Sequence, residues 1–384
     1  MSSKHLLPIT LFLSTLLACG GGAGSTPSTG TLTLKLGSDS HANYASAYVS
    51  IEKVEYKSTD SSSWSTLATI NASYDLMALQ NGHEVTLTAD STLKTGSYNV
   101  RITWGTDHNY TYPVLSPGTL LLAGKSSLLE DGLEMNLPTR TTATGSLTVT
   151  KDTATIGEIF IQGDQLAQKH SSLSTPYTFQ ATAELLDLST HARILGQVTD
   201  AGGTGIAGAE VLAETLDGSL TATVKRRAVT DASGNFVLAG LAMGEDYYLA
   251  TQPSGSALGY SATSTSPVTA SAATDYSAAL ICASTATPGT LGVTISPAST
   301  TTQGTWVELR QTLATGAAFR TLVVRSQIVD TGSSTDTTSL TGLYPGSYGV
   351  TLKRSTSGGS PVATISSEKS VTAGSSASAT ITIN

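Results

Sequence analysis

Six histidines stand at positions 5, 41, 83, 108, 170 and 191 of the 384 residues. None lies three to five positions from another histidine or from a cysteine, the spacing that brings two ligands onto one zinc ion. Asp39 with His41, and Asp107 with His108, are the close carboxylate and imidazole pairs. Both read as loop surface, and the adjacent pair would point to opposite faces of a strand. There is no G-x-S-x-G elbow, no H-E-x-x-H pair and no phosphate-cradling P-loop. A serine hydrolase assembled only in space is the remaining enzymatic reading in a chain so rich in Ser. Sugar chemistry has one candidate, the stretch "WGTDHNYTY" from Trp104 to Tyr112. Trp104, Tyr110 and Tyr112 could stack on a pyranose while Asn and Asp fix its hydroxyls. Trp104 also continues the apolar alternation of Tyr98, Val100 and Ile102, so core packing competes for it. No cofactor and no metal are implied.

The N-terminus carries the other reactive residue. Lys4 is followed by an apolar run from Leu6 to Leu17, too short for a bilayer, which takes about 20 residues. It ends in Leu16, Leu17, Ala18 and Cys19, and this resembles the bacterial lipobox. The resemblance implies cleavage after Ala18 and a Cys19 carrying a thioether-linked diacylglycerol and an amide-linked acyl chain. Two or more chains anchor stably where one does not. Gly20 in place of an aspartate points to outer-membrane sorting. An ordinary cleaved signal peptide with an incidental Cys19 is the alternative. Residues 20–30, "GGGAGSTPSTG", read as a flexible tether. With Cys19 lipidated, Cys282 has no partner and no intramolecular disulfide forms. Cys282 lies in the apolar "AALICAS" and reads as a buried, inert thiol.

Charge narrows the partners. Asp, Glu, Lys and Arg make up 12 % of the chain and the net charge is −8, which argues against nucleic acid, a partner that needs clustered cations. The tight basic run Lys225-Arg226-Arg227 reads as a solvated edge-strand face. In Asp231-Ala232-Ser233-Gly234-Asn235 a calcium loop competes with an Asx-turn, and the turn fits better because one short acidic loop lacks the oxygens calcium wants.

These residues must be positioned by strands. "LKTGSYNVRITW" at 93–104 returns as "LYPGSYGVTLKR" at 343–354 and more loosely as "LAMGEDYYLATQ" at 241–252. Each copy has a leucine to plug a core (Leu93, Leu241, Leu343), a glycine for a tight turn at positive φ (Gly96, Gly244, Gly346), and a tyrosine-led strand of period two. Three copies suggest three β-domains. Val49 and Ile51 alternate and then slip to Val54 and Tyr56, the mark of a β-bulge. Tyr177, Phe179, Ala181, Ala183 and Leu185 alternate as one closing strand.

The order that begins at Thr31, with "AYVSIEKVEYKS", Trp64, "DLMALQNG" and the 93–104 hairpin, resembles the bacterial domain of unknown function numbered 4382, departing from it at Asp39-Ser40-His41. "ILGQVTDAGGTGIAGAEVLAE" with "TDASGNFVLAGLAMGEDYYLAT" resembles the carboxypeptidase regulatory-like domain, which implies a transthyretin-like sandwich. Such modules sit beside many unrelated partners. The segment after 285 carries strands at "TLGVTI", "WVELRQT", "TLVVRSQIV", "SYGVTLKR" and "SATITIN".

The expected protein is all-β, with tandem antiparallel β-sandwich domains of transthyretin-like or Ig-like type after a cleaved lipoprotein signal peptide. The segments are 1–18 (signal), 19–30 (tether), 31–189, 190–284 and 285–384, with loop-like junctions near 189 and 285. It is read as a non-enzymatic cell-envelope protein, an outer-membrane lipoprotein held by acyl chains on Cys19, that presents or spaces binding surfaces for an extracellular glycan or protein. A carbohydrate-binding module array is the alternative, and the hydrolase the third.

Overall fold

The computed structural model describes residues 27–39, 44–105, 119–122, 133–163, 167–169, 177–179, 182–254, 258–271, 276–296, 303–329, 335–356, 362–365, 369–372 and 374–382. Strands fill it, and the helical element named among the described residues is one 3-10 turn, Leu76–Leu79. Asp75 caps that turn by accepting the Met77 N–H at 3.0 Å while it also accepts the Ala47 N–H at 2.8 Å.

Among the described residues six sheets pair into three sandwiches, each around its own apolar core. In the first, a four-stranded sheet runs in the order Ala183–Asp187, Ala154–Ile161, Thr29–Ser38 and Val85–Lys94. Leu32, Leu34 and Leu36 face inward from its third strand, as the alternation requires. The opposing sheet is built on the long strand Tyr44–Ser58, flanked by Ser65–Asp75 and Gly96–Trp104. Its register slips between Ile51 and Lys53 against both neighbours, the bulge that lets Val49, Ile51 and Val54 all reach the core.

The second sandwich sets Asn235–Ala242, His191–Asp200 and Tyr276–Cys282 against Ala222–Val229, Glu210–Leu216 and Asp246–Thr251. In the third, Asp336–Leu343, Gly289–Ser296 and Ser376–Thr382 face Ala318–Ile328, Gln303–Thr315 and Gly346–Thr356. Two short strands, Gly259–Tyr260 and Ser284–Thr285, join the third sandwich's sheet although they flank the second sandwich's last strand. The chain is thus stitched across that junction by backbone hydrogen bonds.

Two expectations are corrected here. The single strand over 177–185 is two strands, Tyr177–Phe179 and Ala183–Asp187, in different sheets; the chain crosses between layers, so the continuous alternation serves two faces in turn. Gly346 does not hold a positive φ, whereas Gly96 (φ +151) and Gly244 (φ +83) do. What the three copies share is the tyrosine. Tyr98 Oη donates to the Lys94 carbonyl at 2.7 Å and Tyr348 Oη to the Tyr344 carbonyl at 2.6 Å, each four residues upstream. In the looser copy, one residue longer, the Ala242 N–H donates to Tyr247 Oη at 3.0 Å. Each is a tyrosine corner, a ring in the core whose hydroxyl ties down the incoming turn. Leu93, Leu241 and Leu343 are buried beneath them.

Candidate functional site

The chemistry-bearing side chains gather where the sandwiches meet. The strand Ala222–Val229 is the edge of its sheet and carries Lys225, Arg226 and Arg227. Its pairing shifts between Ala213 and Glu214, leaving Lys225 outside the ladder. Past the bulge Arg226 stands opposite Ala213 and Arg227 opposite Leu212, so the two leave opposite faces of the strand. Arg226 is 6 % and Arg227 4 % exposed, which overturns the reading of this run as a solvated face; Lys225 alone fits it.

Arg226 reaches the first sandwich. Its Nη2 donates to Glu184 Oε2 at 2.5 Å and its Nε to the Gly240 carbonyl at 3.0 Å. Its guanidinium lies 4.7 Å from the Phe160 ring centroid. Arg227 ties both other sandwiches: its N–H donates to Asp39 Oδ1 at 2.9 Å, and its Nη1 to Ser326 Oγ at 2.8 Å. Glu210 Oε1 lies 3.5 Å from the same Nη1. Planar guanidinium groups suit such desolvated pairs better than an ammonium.

Carboxylates finish the edges. Ala318–Ile328 is the outer strand of the third sandwich's sheet, and two of its N–H groups go to the second sandwich: Val323 to Glu214 Oε2 at 3.0 Å and Ser326 to Glu210 Oε2 at 3.3 Å. Asn81, at φ +57, does the same for the first junction, donating to the Val229 carbonyl at 3.0 Å and accepting from Val237 N–H at 3.4 Å. Buried backbone groups need partners, and here a neighbouring sandwich supplies them.

A cleft opens beside this contact. One lobe, about 390 Å³, is lined by Glu184, His191, Arg226, Glu245 and Tyr247; the other, about 160 Å³, by Glu84, Glu158, His191 and Arg193. Glu158 is 4 % exposed. Burial, with the charge of Glu84 adding to it, pushes its carboxyl up to about 7. His191 Nδ1 lies 2.8 Å from the Asp187 carbonyl, which fixes the ring. Among the described residues no three His, Cys, Asp or Glu side chains gather in a metal-binding group.

The sugar candidates do not converge on this cleft. Trp104 is 2 % exposed, its indole N–H donates to Thr141 Oγ1 at 2.8 Å and its ring meets Phe179 edge-on at 5.1 Å. A ring so enclosed offers no face to a pyranose, and the competing core reading describes it. Tyr110, Tyr112, His41, Asp107, His108, Ala18 and Cys19 lie outside the described residues. Cys282 is buried, and burial raises its thiol to about 12. Asp231 Oδ1 accepts the N–H groups of Ser233 at 2.8 Å and Asn235 at 2.9 Å, an Asx-turn. Sequence reasoning missed Glu158, Glu184, Glu210 and Glu214. Glu210 and Glu214 of "EVLAE" share the strand face opposite the core residues Val211 and Ala213, and that pattern was the available signal.

The fold and these contacts define a set of joined β-sandwich modules. Residues 29–152 match the family described as "Domain of unknown function (DUF4382)", and residues 193–281 match the carboxypeptidase regulatory-like domain. The chain carries the two in that order. No curated protein matches it. Among solved structures it is similar to a streptococcal ancillary pilin at 12 % identity and a TM-score of 0.22, over 89 % of this chain and 96 % of that one. It is similar to the Bacillus anthracis TIE protein at 11 % identity and a TM-score of 0.18, over 93 % of this chain, and spans about half (51 %) of that protein's length. The minor pilin GBS52 of Streptococcus agalactiae aligns at 14 % identity and a TM-score of 0.18, over 49 % of this chain and 94 % of that one.

Proposed function

We propose that the chain is a non-enzymatic cell-envelope lipoprotein whose three sandwiches, divided near residues 189 and 285, act as one rigid block that presents a binding surface away from the membrane. The observation that carries this reading is Arg227, bonded at once to the first sandwich through Asp39 and to the third through Ser326. Few residues on a freely jointed string of modules would be bonded to both neighbours, because linked domains move unless their interface is large or well tied. The anchor rests on the lipobox at Leu16 to Cys19, and outer-membrane sorting on Gly20. Among the described residues no helix is long and apolar enough to cross a membrane.

The test of anchoring is chemical. Cys19→Ala should abolish labelling by an alkyne-palmitate analogue and release the mature chain from membranes. Retained label on a membrane-bound variant would refute the lipoprotein reading.

A further inference from the structure

The outer face of the first sandwich's larger sheet holds a group of cations that the junctions do not use. Register sets Glu55 opposite Arg101, Lys57 opposite Asn99 and Lys53 opposite Thr103. On the next strand Arg140 pairs with Thr103 and Thr142 with Arg101, and on the other side Thr66 and Thr69 face Glu55 and Lys53. Strands about 4.8 Å apart therefore spread Lys53, Lys57, Arg101 and Arg140 over one flat surface.

Those four cations share little negative charge. Glu55 is buried and accepts Arg101 Nε at 2.9 Å, Arg101 Nη2 at 3.1 Å and Thr103 Oγ1 at 2.8 Å, with Arg140 Nε 3.8 Å away. Glu52 lies 3.7 Å from Lys53. Trp64 sits against this group, with the Arg101 guanidinium 4.3 Å and the Lys57 ammonium 5.2 Å from its ring centroid. Lys57 thus has an aromatic face and no carboxylate in these contacts, and Arg140 is half-exposed beside a carboxylate that Arg101 already occupies. The surplus is positive on a chain whose net charge is −8.

We infer that this face binds an acidic polysaccharide. The inference deepens the proposed presenting role and rests on it. A chain negative overall repels a polyanion except where its cations cluster, so the field itself directs such a polymer here. The cations lie across adjacent strands on an open sheet, which suits a polymer carrying charge at regular intervals better than one small anion in a pocket. The exposed hydroxyls of Thr66, Thr69 and Thr142 add hydrogen-bonding groups beside them. A lipid surface is disfavoured because the exposed large apolar side chains among the described residues, Ile156, Leu220, Leu258, Ile281 and Phe319, all lie elsewhere.

The experiment measures binding of the full chain to polygalacturonate, with unmodified dextran and phosphatidylglycerol vesicles as the other arms. The expected result is binding to polygalacturonate that fades as salt is raised, no binding to dextran, and at least about tenfold weakening in Lys57→Gln/Arg140→Gln. Lys225→Gln, which removes an exposed cation elsewhere, should bind as the parent does. Circular dichroism of each variant guards against loss of fold, since both changes are at the surface. No binding, equal binding to dextran, an unaffected double variant, or capture by vesicles in place of the polysaccharide would each overturn the inference. A chain that stays anchored through Cys19 yet ignores polygalacturonate would lose this inference and keep the envelope reading.

Discussion

Glu158 and Glu214 hold their protons more tightly in the folded chain than in a free one, and this sets the sign of the pH response. Their ordinary value is 4.5; burial raises Glu158 to about 7, with Glu84 adding to it and Lys35 and Arg226 opposing, and raises Glu214 to about 8 against the pull of the Val323 N–H. The folded state therefore binds more protons than the unfolded state between those values, and its stability falls as pH rises through them. The contribution is fully present below 4.5 and gone above about 8. Melting temperature is expected to decline from pH 5 to pH 8, and Glu158→Gln with Glu214→Gln should flatten that slope; a profile unchanged by both would contradict the assignment. Glu55 behaves oppositely, since its bonds from Arg101 hold it at about 2, so its contribution persists above its ordinary value and is lost only in strong acid. The repeated phrase gives a second residue-level expectation. Gly244→Val forces a β-branched residue to φ +83 and should cost about 1–3 kcal/mol. Gly346→Val should cost less, for its backbone is ordinary and a Cβ would meet the movable amide of Gln311 at 3.1 Å. Tyr98→Phe, losing the bond to the Lys94 carbonyl, should cost about 1 kcal/mol in denaturant titration. The sequence showed the leucine and the tyrosine of this phrase through their period, but a glycine alone does not disclose its φ.

Edge strands are the elements on which the architecture turns. Ala222–Val229 and Ala318–Ile328 both end sheets, and an uncovered edge invites pairing with another chain. Here each edge is closed by polar groups of a neighbouring sandwich: Asp39 receives Arg227 N–H, and Glu214 and Glu210 receive Val323 and Ser326 N–H. Glu214→Ala should leave the Val323 N–H buried without a partner, at about 1–3 kcal/mol, and should speed hydrogen exchange of Ala318–Ile328 more than that of Gly289–Ser296. Equal protection in both strands would mean that the carboxylate does not hold this edge. Strand existence was legible, since alternation at Leu32 to Leu36 and the slip at Val54 are period signals. The burial of Arg226 and Arg227 was not, because it comes from neighbouring sandwiches that cover both faces of their strand, the first over Arg226 and the third over Arg227, and charge alone argued for solvent. The same limit explains why 177–185 read as one strand: alternation reports that faces differ, not which sheet they face.

At the scale of the molecule, three cores share one polar hub. Family resemblance identified the first and second sandwiches from their turns and strand order, and the tyrosine phrase announced the third. Their mutual docking was hidden, for it depends on which carboxylate of one sandwich meets which N–H or guanidinium of another, and such pairs leave no periodic trace. These contacts are expected to make the sandwiches unfold together. Breaking a buried ion pair from one side costs about 3–5 kcal/mol, enough to uncouple units that are each marginally stable. Differential scanning calorimetry of the full chain and of Arg226→Ala/Arg227→Ala decides it. One cooperative transition is expected for the parent and its separation into two or more for the variant; resolved transitions already present in the parent, at midpoints the substitutions leave unmoved, would contradict joint unfolding.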